Sequence, residues 1–390
     1  MTVDEGRFAE GLSFDTNISV QGDGIGAIGV WHSQITGDLT FEGTLNVSGK
    51  PVSENYTYEY EDYDPVTDKV VTVVVDDVDT WGVNAVVAEG DEIYGEGVVG
   101  YDSAGNPIYG TDYGNAIGYT SSVTGNIRNK ASISVEGQLA TGLLVSEHEI
   151  GGDIINEGTI QAKGEAFVEK ENVEVWEPGG VREMTVEDTY SVAAMIVEDS
   201  ILEGNIVNKG TIRAEGTNAM GLEVDVVNFS QLVNDGAIEV NGKSVDATWT
   251  DLATGVIEQE RVVAAAVALA DVTLEQVRNN AGGRIVATGE GSVALDVMEA
   301  YFVNSEVEAH IVNAGLIQGE GAGIYLGEYV DSHLGPIEIL NQGDIISNRA
   351  AIEVADGDQW SAPGPVNLQW DKGTITGDLL GLGEINVAGN

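Results

Sequence analysis

A short phrase of apolar and polar positions recurs seven times along this chain of 390 residues. Each copy has an aliphatic residue, one variable residue and Asn, then another variable residue, Gly or Ala, and a second aliphatic residue. The copies span Ile127–Ile133, Ile154–Ile160, Ile206–Ile212, Leu232–Ile238, Val277–Ile285, Ile311–Ile317 and Ile339–Ile345. Successive Asn residues are 27, 52, 26, 45, 34 and 28 positions apart, so a common period with inserts underlies the chain. A period of this length is typical of a solenoid.

Each period contains about three short strands separated by turn residues, since a Gly and a small apolar strand follow the Asn phrase. One coil of a parallel β-helix accommodates this pattern, and parallel crossovers favour right-handed winding. We therefore predict an all-β fold, a right-handed parallel β-helix that forms one elongated domain over residues 1–390. The inward Asn residues should form a hydrogen-bonded ladder from coil to coil. This structural ladder comprises Asn129, Asn156, Asn208, Asn234, Asn279, Asn313 and Asn341. The Gly two positions after Asn is expected to supply a positive φ.

Four stretches interrupt the period, and each is predicted to be a β-hairpin that projects from a coil. They cover Asn55–Asp77, Ile93–Tyr113, Phe167–Thr189 and Val245–Val263. In each, β-rich arms flank turn-forming residues such as Asp64-Pro65 or Pro178-Gly179-Gly180. Inserts of this kind often form the binding surface of a solenoid protein.

The charge and cysteine content narrow the function classes. With 16 basic and 65 acidic residues the net charge is −49, which argues against nucleic-acid binding and against anionic membrane surfaces. The chain has no Cys, which suits a long extracellular solenoid that needs no disulfides. The longest aliphatic run, Val262–Ala270, is too short to span a bilayer.

The repeated Asn-x-Gly-x-Ile phrase with its Gly-rich second half resembles the passenger region of bacterial autotransporters and related β-helical surface adhesins. The segment from Ile375-Thr-Gly-Asp-Leu379 to Gly389 is similar to late coils of such passengers. The resemblance implies an extracellular stalk or adhesin at the bacterial cell surface, attached to the outer membrane through a C-terminal barrel. We expect that such a barrel, if it exists, lies beyond residue 390 of a longer protein.

Acidic residues around the first hairpin are candidate calcium ligands, because calcium takes several carboxylate and carbonyl oxygens. They are Glu59, Glu61, Asp62, Asp64, Asp76, Asp77 and Asp79. The alternative is that these residues form a solvated acidic surface without a bound ion, because the sequence contains no EF-hand loop. No cofactor is otherwise required.

Tyrosines concentrated in the first third of the chain are candidates for a contact surface, because aromatic faces with polar tips suit glycan or protein recognition. The candidates are Tyr56, Tyr58, Tyr60, Tyr63, Tyr101 and Tyr109. The alternative is that these rings pack on the coils.

No motif predicts catalysis or cofactor binding. The four histidines are widely spaced, no serine lies in a Gly-x-Ser-x-Gly motif, and acidic pairs arise everywhere by chance. The leading hypothesis is therefore a non-enzymatic surface module that contacts a glycan, a protein or its own copies. The alternatives are a self-assembling filament or layer subunit and a β-helical polysaccharide lyase or hydrolase.

Overall fold

The computed structural model describes residues 1–64, 69–101, 107–165, 167–177, 180–190, 192–303, 307–332, 335–356 and 364–388. These residues form 41 β-strands and no helix. A single sheet of 33 strands contains every strand outside four hairpin segments, and its pairings are parallel. The chain is thus an all-β parallel β-helix.

The strands follow one another coil by coil. The first coils contain β1 (Thr2–Asp4), β2 (Arg7–Phe8), β3 (Leu12–Gln21), β4 (Gly26–Trp31), β5 (Gln34–Ile35) and β6 (Leu39–Gly49). The first two hairpins and the coil that carries them contain β7 (Val52–Asp64), β8 (Lys69–Trp81), β9 (Val83–Glu89), β10 (Glu92–Tyr101), β11 (Pro107–Tyr119), β12 (Ser121–Val123), β13 (Ile127–Asn129) and β14 (Ser132–Gly137). The next coil and the third hairpin contain β15 (Ala140–Ser146), β16 (His148–Ile150), β17 (Ile154–Asn156), β18 (Thr159–Lys163), β19 (Phe167–Glu177) and β20 (Gly180–Tyr190).

The central coils contain β21 (Val192–Leu202), β22 (Ile206–Asn208), β23 (Thr211–Glu215), β24 (Met220–Asn228), β25 (Gln231–Asn234) and β26 (Ala237–Asn241). The fourth hairpin is β27 (Ala247–Asp251) with β28 (Ile257–Glu260). The last coils contain β29 (Ala265–Ala270), β30 (Val272–Leu274), β31 (Gln276–Asn279), β32 (Arg284–Thr288), β33 (Val293–Phe302), β34 (Ile311–Asn313), β35 (Leu316–Gly319), β36 (Ala322–Ser332), β37 (Ile337–Asn341), β38 (Asp344–Val354), β39 (Val366–Trp370), β40 (Ile375–Leu380) and β41 (Glu384–Val387).

The parallel pairings form four ladders along the solenoid, where the sequence pattern predicted about three strands per coil. Ladder A runs through β4, β9, β15, β21, β24, β29, β33 and β36. Ladder B runs through β5, β12, β16, the second halves of β21 and β24, then β30, and the second halves of β33 and β36. Ladder C carries the Asn phrase through β13, β17, β22, β25, β31, β34 and β37, and ladder D follows it through β14, β18, β23, β26, β32 and β35. Four long strands each contribute to both ladder A and ladder B, namely β21, β24, β33 and β36. The turn between these two ladders is therefore hard to see in the sequence.

Aliphatic side chains fill the interior as columns in register. Ile154 pairs with Ile206 in ladder C, and Ile160 pairs with Ile212 in ladder D. All four are at most 2 % exposed. Burial of a side chain of this size contributes about 1.5–3 kcal/mol, so the repeated phrase supplies a regular part of the core.

The Gly of the repeated phrase is required for a different reason than the one predicted. Gly158, Gly210, Gly236, Gly315 and Gly343 do not have a positive φ. Instead, a Cβ added at Gly210 would overlap the carbonyl oxygen of Gly158 in the coil before it, and the same holds at the other positions. Close approach of stacked backbones, rather than a left-handed turn, therefore selects Gly here.

The four predicted inserts are antiparallel hairpins, β7–β8, β10–β11, β19–β20 and β27–β28, some with longer arms than predicted. Three of them emerge between ladders D and A, and β10–β11 emerges between ladders A and B. The third and fourth are not independent projections, because β20 pairs with β27 to form one four-stranded sheet. Met184 and Val186 of this sheet are buried, so part of it is packed rather than solvated. Among the residues that the structure describes, no helix is long and apolar enough to cross a bilayer.

Candidate functional site

All seven predicted Asn residues lie in one interior column of ladder C. In each pair the Nδ2 group donates to the Oδ1 atom of the Asn in the next coil, and all six distances are 2.8 Å. Every one of these side chains is at most 1 % exposed. The ladder satisfies buried amides and fixes the register of seven successive coils, which is a structural role.

Aromatic side chains occupy the same column beyond both ends of the Asn ladder. Phe41 pairs in register with Asn129, and its ring stacks on Phe14 with the centroids 5.8 Å apart. At the other end Asn341 pairs with Trp370 and donates to the carbonyl oxygens of Gly343 and Lys372. The Nδ2 group of Asn341, which has no further Asn to donate to, is therefore satisfied by backbone carbonyl oxygens.

A second, shallower ladder stabilises the corner before ladder C, and the sequence analysis missed it. Asp38 Oδ1 accepts from the backbone and side chain of Asn126, and Asp153 Oδ1 accepts in the same way from Asn205. These hydrogen bonds lower the pKa of Asp38 below its usual range, with Arg128 contributing through its charge. The signal was present as Gly followed by Asn or Asp before three copies of the phrase.

The predicted calcium ligands lie on β7 and β8, and their side chains are outside the described residues. The backbone register pairs Asp64 with Lys69, Glu61 with Thr72 and Tyr56 with Asp77. Asp76, Asp77 and Asp79 are thus near the base of the hairpin, while Glu59, Glu61, Asp62 and Asp64 are near its tip. Since each residue adds about 3.4 Å along a strand, one ion cannot contact all seven carboxylates. Among the residues that were described in full, no group of three or more potential ligands is arranged to hold a metal.

The predicted contact tyrosines are on the first two hairpins, and their side chains also lie outside the described residues. Tyr56, Tyr58, Tyr60 and Tyr63 are on β7, paired with β8, and Tyr101 and Tyr109 are on β10 and β11. The structure therefore separates these six positions between two hairpins that leave the β-helix at different corners.

A groove on ladder B combines exposed aromatic rings with carboxylates. Tyr301 and Tyr329 are 40 % and 60 % exposed and lie on the outer surface of adjacent strands. In register, Tyr329 is opposite Glu299 and Tyr301 is opposite Asp331, so ring and carboxylate alternate across the pair. Asp271 and Glu328 complete the acidic lining of a concavity of about 330 Å³. The sequence analysis missed these tyrosines because it followed the density of Tyr rather than its register.

The acidic lining of this groove continues along the corner between ladders A and B. Partial burial, together with Asp271 and Asp225, raises the pKa of Glu299. Four coils away along ladder A, burial and the neighbouring Glu89 and Glu92 raise the pKa of Glu147 to about 7. Mutual repulsion of this kind means that the corner carries a strong negative potential. The potential attracts cationic groups and repels anionic ones.

Comparisons of this chain with family models, with curated proteins and with solved structures found no match. The assignment of a function therefore depends on the geometry of the described residues.

Proposed function

We propose that this chain is a non-enzymatic binding module of a bacterial cell surface, a rigid β-helix that contacts sugar chains through the groove of Tyr301 and Tyr329. The observation that supports this most is the alternation of two exposed rings with carboxylates in one concavity. The apolar face of a sugar ring packs against a tyrosine ring, and sugar hydroxyls donate to carboxylate oxygens.

The charge of the groove restricts the sugar class. Asp271, Glu299, Glu328 and Asp331 line the concavity, and none of the lining residues that the structure describes is basic. A uronic acid or sulfated sugar would be repelled, whereas an amino sugar would be attracted. The preferred ligands are therefore neutral or amino sugars in an unbranched chain.

The β-helix supports binding by holding both rings in place before the ligand arrives. Neighbouring strands are about 4.8 Å apart, and the Asn ladder and aliphatic columns fix their register. A surface that is already ordered loses less conformational entropy on binding. The location at a cell surface belongs to the same proposal, and the acidic, cysteine-free composition supports it.

Isothermal titration calorimetry with soluble chitosan oligomers, neutral β-glucan oligomers and oligogalacturonate tests the proposal. We expect binding of the first or second ligand, no binding of the third, and a loss of at least tenfold in Tyr329→Ala. Tyr329→Phe, which retains the ring, should bind nearly as well as the original protein. Ile201→Ala is the matched control, because Ile201 is also an exposed side chain of ladder B but lies outside the groove.

Each contrary outcome points to a different function. Preference for oligogalacturonate would show that the charge argument is wrong, and release of new reducing ends would favour a lyase or hydrolase. Binding that survives Tyr329→Ala but is lost when residues 52–81 are replaced by a short loop would move the contact surface to the first hairpin. Growth of particles in light scattering, with or without calcium, would favour a filament.

A further inference from the structure

A cavity of about 250 Å³ lies on ladder A, on the other side of the acidic corner from the sugar groove. Its floor is the outer surface of three consecutive strands, β15, β21 and β24. Thr141, Ala193 and Met220 are in register across that floor, and Ile196 and Glu223 form the adjacent row. Most of the remaining wall is apolar, with Leu139, Val192 and Val262.

The bases of the third and fourth hairpins close this cavity on one side. Asn218 is 5 % exposed, and its Nδ2 group donates to the carbonyl oxygen of Thr189 at 2.7 Å and to that of Val245 at 2.8 Å. Its Oδ1 atom accepts from the backbone N–H of Val245 at 2.7 Å. One side chain thus ties the end of β20 and the approach to β27 to the coil, so the cavity has fixed walls.

Among the described residues that line the cavity, Glu223 is the one ionisable side chain and none is basic. Burial, reinforced by Glu198 and Asp225, raises the pKa of Glu223 to about 7. The three carboxylates belong to two adjacent strands, β21 and β24. A cation that enters the cavity would therefore meet a negative potential from all three groups in apolar surroundings.

We infer that this cavity binds a small organic amine, with the ammonium group on the Glu223 carboxylate and a short apolar body on Ile196, Met220 and Val262. The volume is below the range of drug-sized ligands, roughly 300–1,000 Å³, so the body must be short. An ammonium group has three N–H donors, which the carboxylate and the hydroxyl groups of Thr141 and Thr189 can accept. This inference is independent of the sugar groove, which is on a different ladder.

The experiment compares n-hexylamine with n-hexanol, which has the same body without the charge, by isothermal titration calorimetry at pH 8 and pH 6. We expect hexylamine to bind at pH 8 and about tenfold more weakly at pH 6, because Glu223 takes up a proton over this interval. Glu223→Gln should weaken the binding of hexylamine at least tenfold at pH 8. Glu203→Gln is the matched control, since Glu203 is an exposed carboxylate outside the cavity.

The fold of each variant is checked by circular dichroism and thermal unfolding. Glu223→Gln removes a carboxylate without a basic neighbour in the cavity, so it should be at least as stable as the original protein at pH 8. Equal binding of hexanol and hexylamine, or equal affinity in Glu223→Gln and Glu203→Gln, would overturn the inference. Tighter binding at pH 6 than at pH 8 would also overturn it, because it would indicate a ligand that accepts a hydrogen bond from the protonated acid.

Discussion

Replacement of Asn208 by Leu should open the β-helix locally by breaking the Asn ladder at its centre. The substitution leaves the Nδ2 group of Asn156 without its 2.8 Å acceptor and the Oδ1 atom of Asn234 without its 2.8 Å donor. For Asn156 the remaining contact, to the carbonyl oxygen of Thr211 at 3.5 Å, is weak. Each buried group without a partner costs about 1–3 kcal/mol. The apolar gain of Leu offsets part of this, so we expect a net loss of about 2–4 kcal/mol.

Hydrogen exchange measured by mass spectrometry is the suitable assay, because a solenoid can open locally without unfolding as a whole. Amides of β17, β22 and β25 should exchange roughly 30- to 1,000-fold faster, since 1.4 kcal/mol corresponds to about tenfold. Amides of the coils near β4 and β39 should change little. Asn228→Leu is the matched control, because Asn228 is exposed at the end of β24.

Two double variants test the ladder itself rather than the loss of one side chain. Asn208→Leu with Asn234→Leu removes neighbouring members and still leaves one donor and one acceptor without partners, so its cost should be close to that of Asn208→Leu alone. Asn156→Leu with Asn279→Leu breaks the ladder at two separate places and should cost about the sum of the single variants. Normal exchange in Asn208→Leu, or additive costs in the neighbouring pair, would refute the reasoning.

Two further predictions concern pH. His148 is fully buried and its Nε2 atom has no partner among the described residues, and burial lowers its pKa to about 4. In the unfolded chain His148 is protonated near pH 6.5, whereas in the folded protein it is protonated only near pH 4. Protonation therefore favours the unfolded chain, and stability should fall by about 3 kcal/mol as the pH drops from about 6.5 to about 4. His148→Ser should lack that loss in denaturant titrations at the two pH values, and an unchanged pH dependence would contradict the assignment. Arg261 pairs with the buried Asp296 at 3.3 Å and lies 3.8 Å from the ring centroid of Tyr325. Burial raises the pKa of Asp296 to about 6 against the influence of Arg261, so Arg261→Gln should be destabilising at pH 8 and much less so at pH 5, where Asp296 is protonated. An equal loss at both pH values would show that the arginine stabilises only through packing.

The ladder and the pH-sensitive groups differ in how visible they are in the sequence. The Asn ladder was predictable because each Asn lies at the same place in a repeated phrase, and stacking of coils turns a repeated position into a column. His148 replaces Ser in another column. Ser33 and Ser200 of this column each donate to the carbonyl oxygen two residues before them, and Ser121 donates to the carbonyl oxygen of Glu89 at the end of β9. That column was not visible, since its members have no common flanking phrase.

The hairpins were located from their turn residues, but their arrangement was not. Turn chemistry is local, so it identifies a hairpin without indicating which corner of the coil it leaves. The pairing of β20 with β27 joins segments from different coils, and only the stacking of those coils brings the two strands together. The same holds for Arg261 and Asp296, which approach each other across the base of the fourth hairpin.

The sequence by itself determined the repeat, the all-β class, the aliphatic columns and the members of the Asn ladder, because all of these follow from the identity of residues at equivalent positions. The tertiary structure decided the four ladders, the role of Gly in the phrase, the groove of Tyr301 and Tyr329 and the cavity of Glu223. Each of these depends on which residues of different coils face one another, and inserts of unequal length hide that register in the linear chain. Stacking of parallel coils converts distant positions into neighbours about 4.8 Å apart, and this conversion creates both candidate binding sites.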